Sequence, residues 1–157
     1  MSKWTHLAGI IRLDNLSRLF PFGKRPREAD ILSCFKPDLP KGSEVGTRIG
    51  LHVWETTNSY ERASDSLDLM YEGRSYWGDI IISADLRNVG DDPQDVQRIR
   101  GWFEESCDRL KKLTGIMIRQ AILQIEVEFS STYTLFLHSE LEDDEWILQE
   151  AKWNEQA

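Results

Sequence analysis

This sequence predicts an α+β fold, with an antiparallel sheet of four to five strands and one principal helix packed on one face. Three observations carry that prediction. Residues 92–113 repeat their apolar side chains at three- and four-residue steps, and several other stretches alternate apolar and polar residues with a period of two. These segments also follow one another as strand, irregular or weakly helical link, strand, strand, helix, strand.

Residues 4–13 are the first strand. Leu7, Ile11 and Leu13 fall on one side and Ala8 and Ile10 on the other, which predicts a central position with some cover on both faces. Residues 15–43 hold four of the five prolines, Pro21, Pro26, Pro37 and Pro40, and are the least regular part. Leu16 and Leu19 can begin a short helix there. Residues 28–35 can form another, with Ile31, Leu32 and Phe35 facing inward.

Alternation returns at residues 44–54, where Val45, Thr47, Ile49, Leu51 and Val53 oppose Arg48, His52 and Trp54. The next link, residues 56–75, is too long for a hairpin, and Tyr60, Ala63, Leu67, Met70 and Tyr71 within it have helical spacing. A third strand spans residues 76–89, with Ile80, Ile82, Ala84 and Leu86 set against Ser83, Asp85 and Arg87.

The principal helix has clear ends. Asp92 can cap it, Pro93 suits the first helical position because its missing N–H would have no partner there, and Gly115 can take the left-handed conformation that ends many helices. Val96, Ile99, Trp102, Phe103, Cys107, Leu110 and Leu113 make its buried stripe. A strand with Ala121, Leu123, Ile125, Val127 and Phe129 on one face follows. Ser130 and Ser131 then turn the chain into a fifth strand over residues 132–138, or else one long bent strand continues. The order matches a ferredoxin-like βαββαβ plan or a close relative. One domain over residues 1–139 and an acidic tail over residues 140–157 complete the division. That tail is either a solubilising end or a helix able to dock on a basic partner.

With 157 residues, 40% of them hydrophobic, the chain can bury a core without disulfides or metal. Cys34 and Cys107 make no disulfide framework, and no secretory or membrane-spanning pattern is present, so a cytoplasmic protein is expected. The net charge of −8 is unevenly spread. Residues 1–48 hold nine Lys/Arg and five Asp/Glu, whereas residues 49–157 hold ten and twenty-two. Such a field disfavours general binding to duplex nucleic acid or an anionic membrane, while leaving room for a local basic site.

That local site is the basic-aromatic loop from Arg18 to Arg27. Phe20 and Phe22 can stack on a planar ligand while Lys24, Arg25 and Arg27 take its phosphate, with Arg48 and His52 as supporting donors. The plainer account is a surface loop anchored by its two phenylalanines, its charges solvated. Trp146 and Trp153 in the tail are candidate partner-binding anchors or simply a means of packing the tail down. His6, His52 and His138 lack HxH or HExxH spacing, and no GxSxG, P-loop or GxGxxG motif occurs. No metal, cofactor or catalytic residue is therefore assigned.

The opening residues Met1, Ser2, Lys3, Trp4, Thr5 and His6, running into Leu7-Ala8-Gly9-Ile10-Ile11-Arg12-Leu13-Asp14, resemble the start of small uncharacterised accessory proteins of phages and mobile elements. That resemblance implies a protein that counters host defence by binding a host protein or sequestering a nucleotide signal, and it carries over no site residue. The expectation is a non-catalytic binding protein that captures a small anionic, nucleotide-like ligand. The alternative is an inhibitor acting through the acidic tail. An open sheet face or edge also invites a homo-oligomer.

Overall fold

The computed structural model describes residues 3–15, 27–36, 38–39, 48–53, 76–113, 115–140 and 143–152. The proposed helix start at Leu16 and the inserted helix at residues 56–75 lie outside them. Eight elements follow in order: β1 (Trp4–Asn15), α1 (Glu28–Ser33), β2 (Arg48–Val53), β3 (Tyr76–Arg87), α2 (Pro93–Lys111), β4 (Ile116–Val127), β5 (Ser131–Glu140) and β6 (Asp143–Lys152). The strands form one sheet in the order β2-β3-β1-β4-β5-β6, every neighbouring pair antiparallel.

The central position expected for β1 is observed, between β3 and β4. Its neighbours are pinned by side-chain pattern: Leu7 and Ile11 lie opposite Ala84 and Ile80 on β3, and opposite Ile125 and Ala121 on β4. All six are buried, and a shift of one residue would turn each to the opposite face. Both helices contribute to the core on this face, where Ile31 and Phe35 join Val96, Ile99, Phe103, Cys107 and Leu110. Burying Ile99, Phe103 and Leu110 completely contributes about 1.5–3 kcal/mol each relative to exposure. The Phe35 and Trp102 rings meet at 5.9 Å, and Arg109 Nε donates to the Cys34 carbonyl at 2.7 Å, which ties the end of α1 to α2.

The ends of α2 follow the sequence logic. Asp92 accepts from the Gln94 N–H at 2.9 Å, Pro93 occupies the first turn, and Gly115 has φ +81°. Just before the helix, Gly90 at φ +106° donates its N–H to Asp95 Oδ2 at 3.0 Å. The buried Thr5 hydroxyl donates to the Val89 carbonyl, tying β1 to the same turn.

Three expectations are corrected. The sheet has six strands, because residues 143–152 of the presumed tail pair along the whole of β5 instead of fraying or forming a helix. The edge of β5 offers backbone partners there, and Trp146 and Leu148 face the core side opposite Leu137 and Leu135. Second, the strand after α2 begins at Ile116, not Ala121, with a register irregularity between Arg12 and Leu13 of β1 that accommodates the earlier start. Third, Phe129 is not part of the buried face: it sits in the β4–β5 turn at φ +58° and is exposed. That turn makes β5 a separate strand and excludes the single bent one.

Among the described residues no helix is long and apolar enough to cross a membrane.

Candidate binding face

Strand alternation that sends Leu7, Ile11, Ile80, Ile82, Leu123 and Ile125 toward the helices sends every second residue to the other face. No described helix lies there. Register brings one apolar residue from each of five strands into a single row. Ile10 pairs with Ile81 on one side and Ile122 on the other, Ile122 pairs with Phe136, and Phe136 pairs with Ile147. Gly50 lies opposite Ile81 and ends the row on β2. Ile81 is 46% exposed, and Ile10, Ile122, Phe136 and Ile147 are half-buried.

The adjacent row is small and polar: Arg48, Ser83, Ala8, Gln124, Thr134 and Gln149. Because Ala8 is short, the sheet dips beside it. The resulting depression of about 370 Å³ is lined by Ala8, Gly9, Ile10, Ile122, Gln124 and Thr134. Its floor is apolar, and Gln124 and Thr134 supply an amide and a hydroxyl at its wall.

Charges bound the rows above and below. On one side Arg12 Nε lies 3.4 Å from Asp79 Oδ1. On the other, His6 Nδ1 is 2.5 Å from Asp85 Oδ1 and its Nε2 is 3.5 Å from Glu128 Oε1. The hydrogen bond to Asp85 raises the His6 pKa above its usual 6.5; burial opposes this in part, and the bond to Glu128 adds to the rise. Glu128 also accepts from the Trp4 N–H at 3.1 Å, so this carboxylate is held by two partners.

The residues singled out from sequence are dispersed. Phe20, Phe22, Lys24 and Arg25 lie outside the described residues, as does Trp153. Arg27 precedes α1, where its backbone N–H and guanidinium both donate to Asp30, at 3.1 and 3.3 Å. This pairing holds the Asp30 carboxyl below its usual range, while the Arg27 side chain itself stays exposed. Arg48 opens β2 on the uncovered face, exposed, in the row of Ala8. His52 lies further along β2 in register with Asp79; its side chain lies outside the described residues. Trp146 is used in packing, its ring meeting Phe103 edge-on at 5.5 Å.

Neither thiol offers a nucleophile. Burial pushes both Cys34 and Cys107 upward, Cys107 strongly, and both are unpaired and buried. Among the described residues, no group of three or more His, Cys, Asp or Glu side chains is arranged to hold a metal ion. Sequence reading missed the apolar row because each strand contributes one residue to it. Ile10, Ile81 and Ile122, each an apolar residue on the polar side of an alternating strand, mark it locally.

No protein-family model, curated protein or solved structure matches this chain.

Proposed function

We propose that the protein is a non-catalytic binding protein that docks a partner on the sheet face opposite the helices, which no described element covers. The observation that carries this is the row Ile81, Ile10, Ile122, Phe136 and Ile147, in register across five strands with its most exposed member at 46%. Isolated surface isoleucines need no explanation, but a row that aligns five strands in one apolar band marks an interaction surface.

We read β1 to β4 with their two helices as a ferredoxin-like unit. The partial order β2-β3-β1-β4 and the two β-α-β crossovers support this, and β5 and β6 are then a hairpin added beyond β4.

The test is native mass spectrometry of the wild type and Ile81→Lys, each purified from the same producing cells. A partner mass carried by the wild type and lost in Ile81→Lys is expected. Identical spectra would remove the face from consideration.

A second reading is capture of an anionic, nucleotide-like ligand by the Arg18–Arg27 loop; the phage-protein resemblance implies such sequestration without assigning the residues. It is favoured by Arg48, which stands exposed beside the depression's row and can neutralise a phosphate. A retained small-molecule mass that disappears in Lys24→Ala/Arg25→Ala and persists in Ile81→Lys is its signature.

A further inference from the structure

We infer that the occupant of the uncovered face is a second copy of this chain, packed face to face about a two-fold axis that runs along the strands between β1 and β4. This rests on that face being the docking surface and names what docks.

Rotation about such an axis lays β1 over β4 of the other copy, β3 over β5 and β2 over β6, given the order β2-β3-β1-β4-β5-β6. The apolar row then falls on itself with its sizes matched. Ile10 meets the partner's Ile122, Ile81 meets the partner's Phe136, and Gly50, which has no side chain, meets the partner's Ile147. In the next row, Ala8 with its depression faces the partner's Gln124, an exposed side chain long enough to reach into it. Small residues thus face large ones at both positions where the surface is hollow. An axis across the strands along the apolar row would instead set Gly50 over itself and leave that hollow empty.

Charge points the same way. The rows of this face carry Arg12, Arg48 and Arg87 against Asp79, Asp85, Glu126, Glu128 and Glu145, an excess of two acids on a chain of net charge −8, with His6 paired between two of them. Most of the acidic excess lies elsewhere, so two copies meet here with less repulsion than other surfaces would bring. His6 also faces the partner's Glu126 in this arrangement.

Size and edges agree. Five strands of ten or more residues and the six-residue β2 span roughly 24 Å by up to 33 Å, about 700 Å² per copy, close to the area of a standard stable interface. Edge-to-edge association is the competing geometry, but β2 is only six residues long, and β6 carries Asp144, Glu145 and Glu150.

Sedimentation equilibrium between 1 and 100 µM tests the inference (roughly the range in which an interface of this size assembles). The wild type should run as a dimer of the 18.3 kDa chain, and Ile81→Lys should weaken the dimer by at least ~100-fold. Ile81→Lys should also melt at nearly the wild-type temperature, with Ile81→Val dimeric as a control. Orientation is read by mixing Gly50→Cys and Ile147→Cys proteins with a short bismaleimide, since these positions lie on opposite edge strands and meet only across the proposed axis, and packed sheets stand ~10 Å apart, too far for a direct disulfide. The mixture should crosslink well above either protein alone.

A monomeric wild type at 100 µM that still carries an Ile81-dependent partner by native mass spectrometry overturns the second copy and leaves the docking face standing. A dimer indifferent to Ile81→Lys overturns both. A dimer sensitive to Ile81→Lys without preferential crosslinking of the mixture overturns the proposed axis.

Discussion

Arg119 Nε donates to Asp14 Oδ2 at 3.1 Å, while Asp14 Oδ1, on a side chain only 4% exposed, has no hydrogen-bond partner among the described residues. The carboxylate sits near the end of the central strand, where β1 shifts register against both of its neighbours. Removing the arginine would leave a buried charge with no compensation. Arg119→Met is expected to lower unfolding free energy by about 1–3 kcal/mol, less than for a fully buried pair because Arg119 is itself half exposed. Urea titration measures this. Adding Asp14→Asn to Arg119→Met should recover part of the loss, and a double variant weaker than both singles would contradict the pairing.

Two glycines should respond to alanine with opposite signs. At Gly90, φ +106° disfavours any side chain, and a Cβ would meet Thr5 Oγ1 at 2.6 Å and Val127 Cγ2 at 3.0 Å. Gly90→Ala should cost about 2–4 kcal/mol from backbone strain and the displaced Thr5 bond. Gly101 is mid-helix in α2, and a methyl group added there would meet nothing among the described residues within 4 Å. Gly101→Ala should stabilise by about 0.5–1 kcal/mol. Thermal melts of the pair give both signs in one experiment.

Protonation of His6 links stability to pH. Asp85, and more weakly Glu128, make the folded protein hold this proton more tightly than the unfolded chain does. The resulting stabilisation is fully present below pH 6.5 and fades as pH rises through the higher folded-state value. In His6→Gln that part of the decline should be absent. Chemical denaturation of both proteins from pH 5.5 to 8.5 should therefore show curves that converge toward alkaline pH, and parallel curves would exclude the linkage.

Trp146 belongs to the fold's energetics. Trp146→Ala removes the edge-on contact with Phe103 and half-buried area beside Leu137 and Leu148, at an expected cost of about 1–3 kcal/mol. Lys111 Nζ to Asp144 Oδ2, at 2.5 Å, anchors the same strand to α2. Truncation after Leu137 should accordingly lower the melting temperature, whereas removal of a solvated tail would leave it unchanged.

The elements most legible in the sequence are those whose local signals agree. Asp92, Pro93 and Gly115 delimit α2 because capping, proline placement and positive φ are each local requirements. The core alternation of β3 and β4 is equally readable. By contrast β6 is hidden, since Asp143, Asp144 and Glu145 read as a solvated run and only a neighbouring edge makes them a strand. Phe129 extends an alternation that the turn in fact ends, a matter of one backbone dihedral. The apolar row is a property of four strand pairings at once, which no window along the chain contains. Of the candidate site residues, Arg48 alone stands on that face with its side chain described, and Arg27 is occupied by Asp30.

Placing the N-terminal strand at the centre of the sheet also sets a timetable for biosynthesis. β1 needs β3 and β4 on its flanks, so residues 4–15 leave the ribosome long before residue 127, the end of β4, has been made. At about 5–20 residues per second, that apolar segment waits roughly 6–22 s for its second neighbour. Nascent-chain yield should therefore depend on whatever shields Leu7, Ile10, Ile11 and Leu13 during the delay, and a slowly translated message should aggregate more than a fast one.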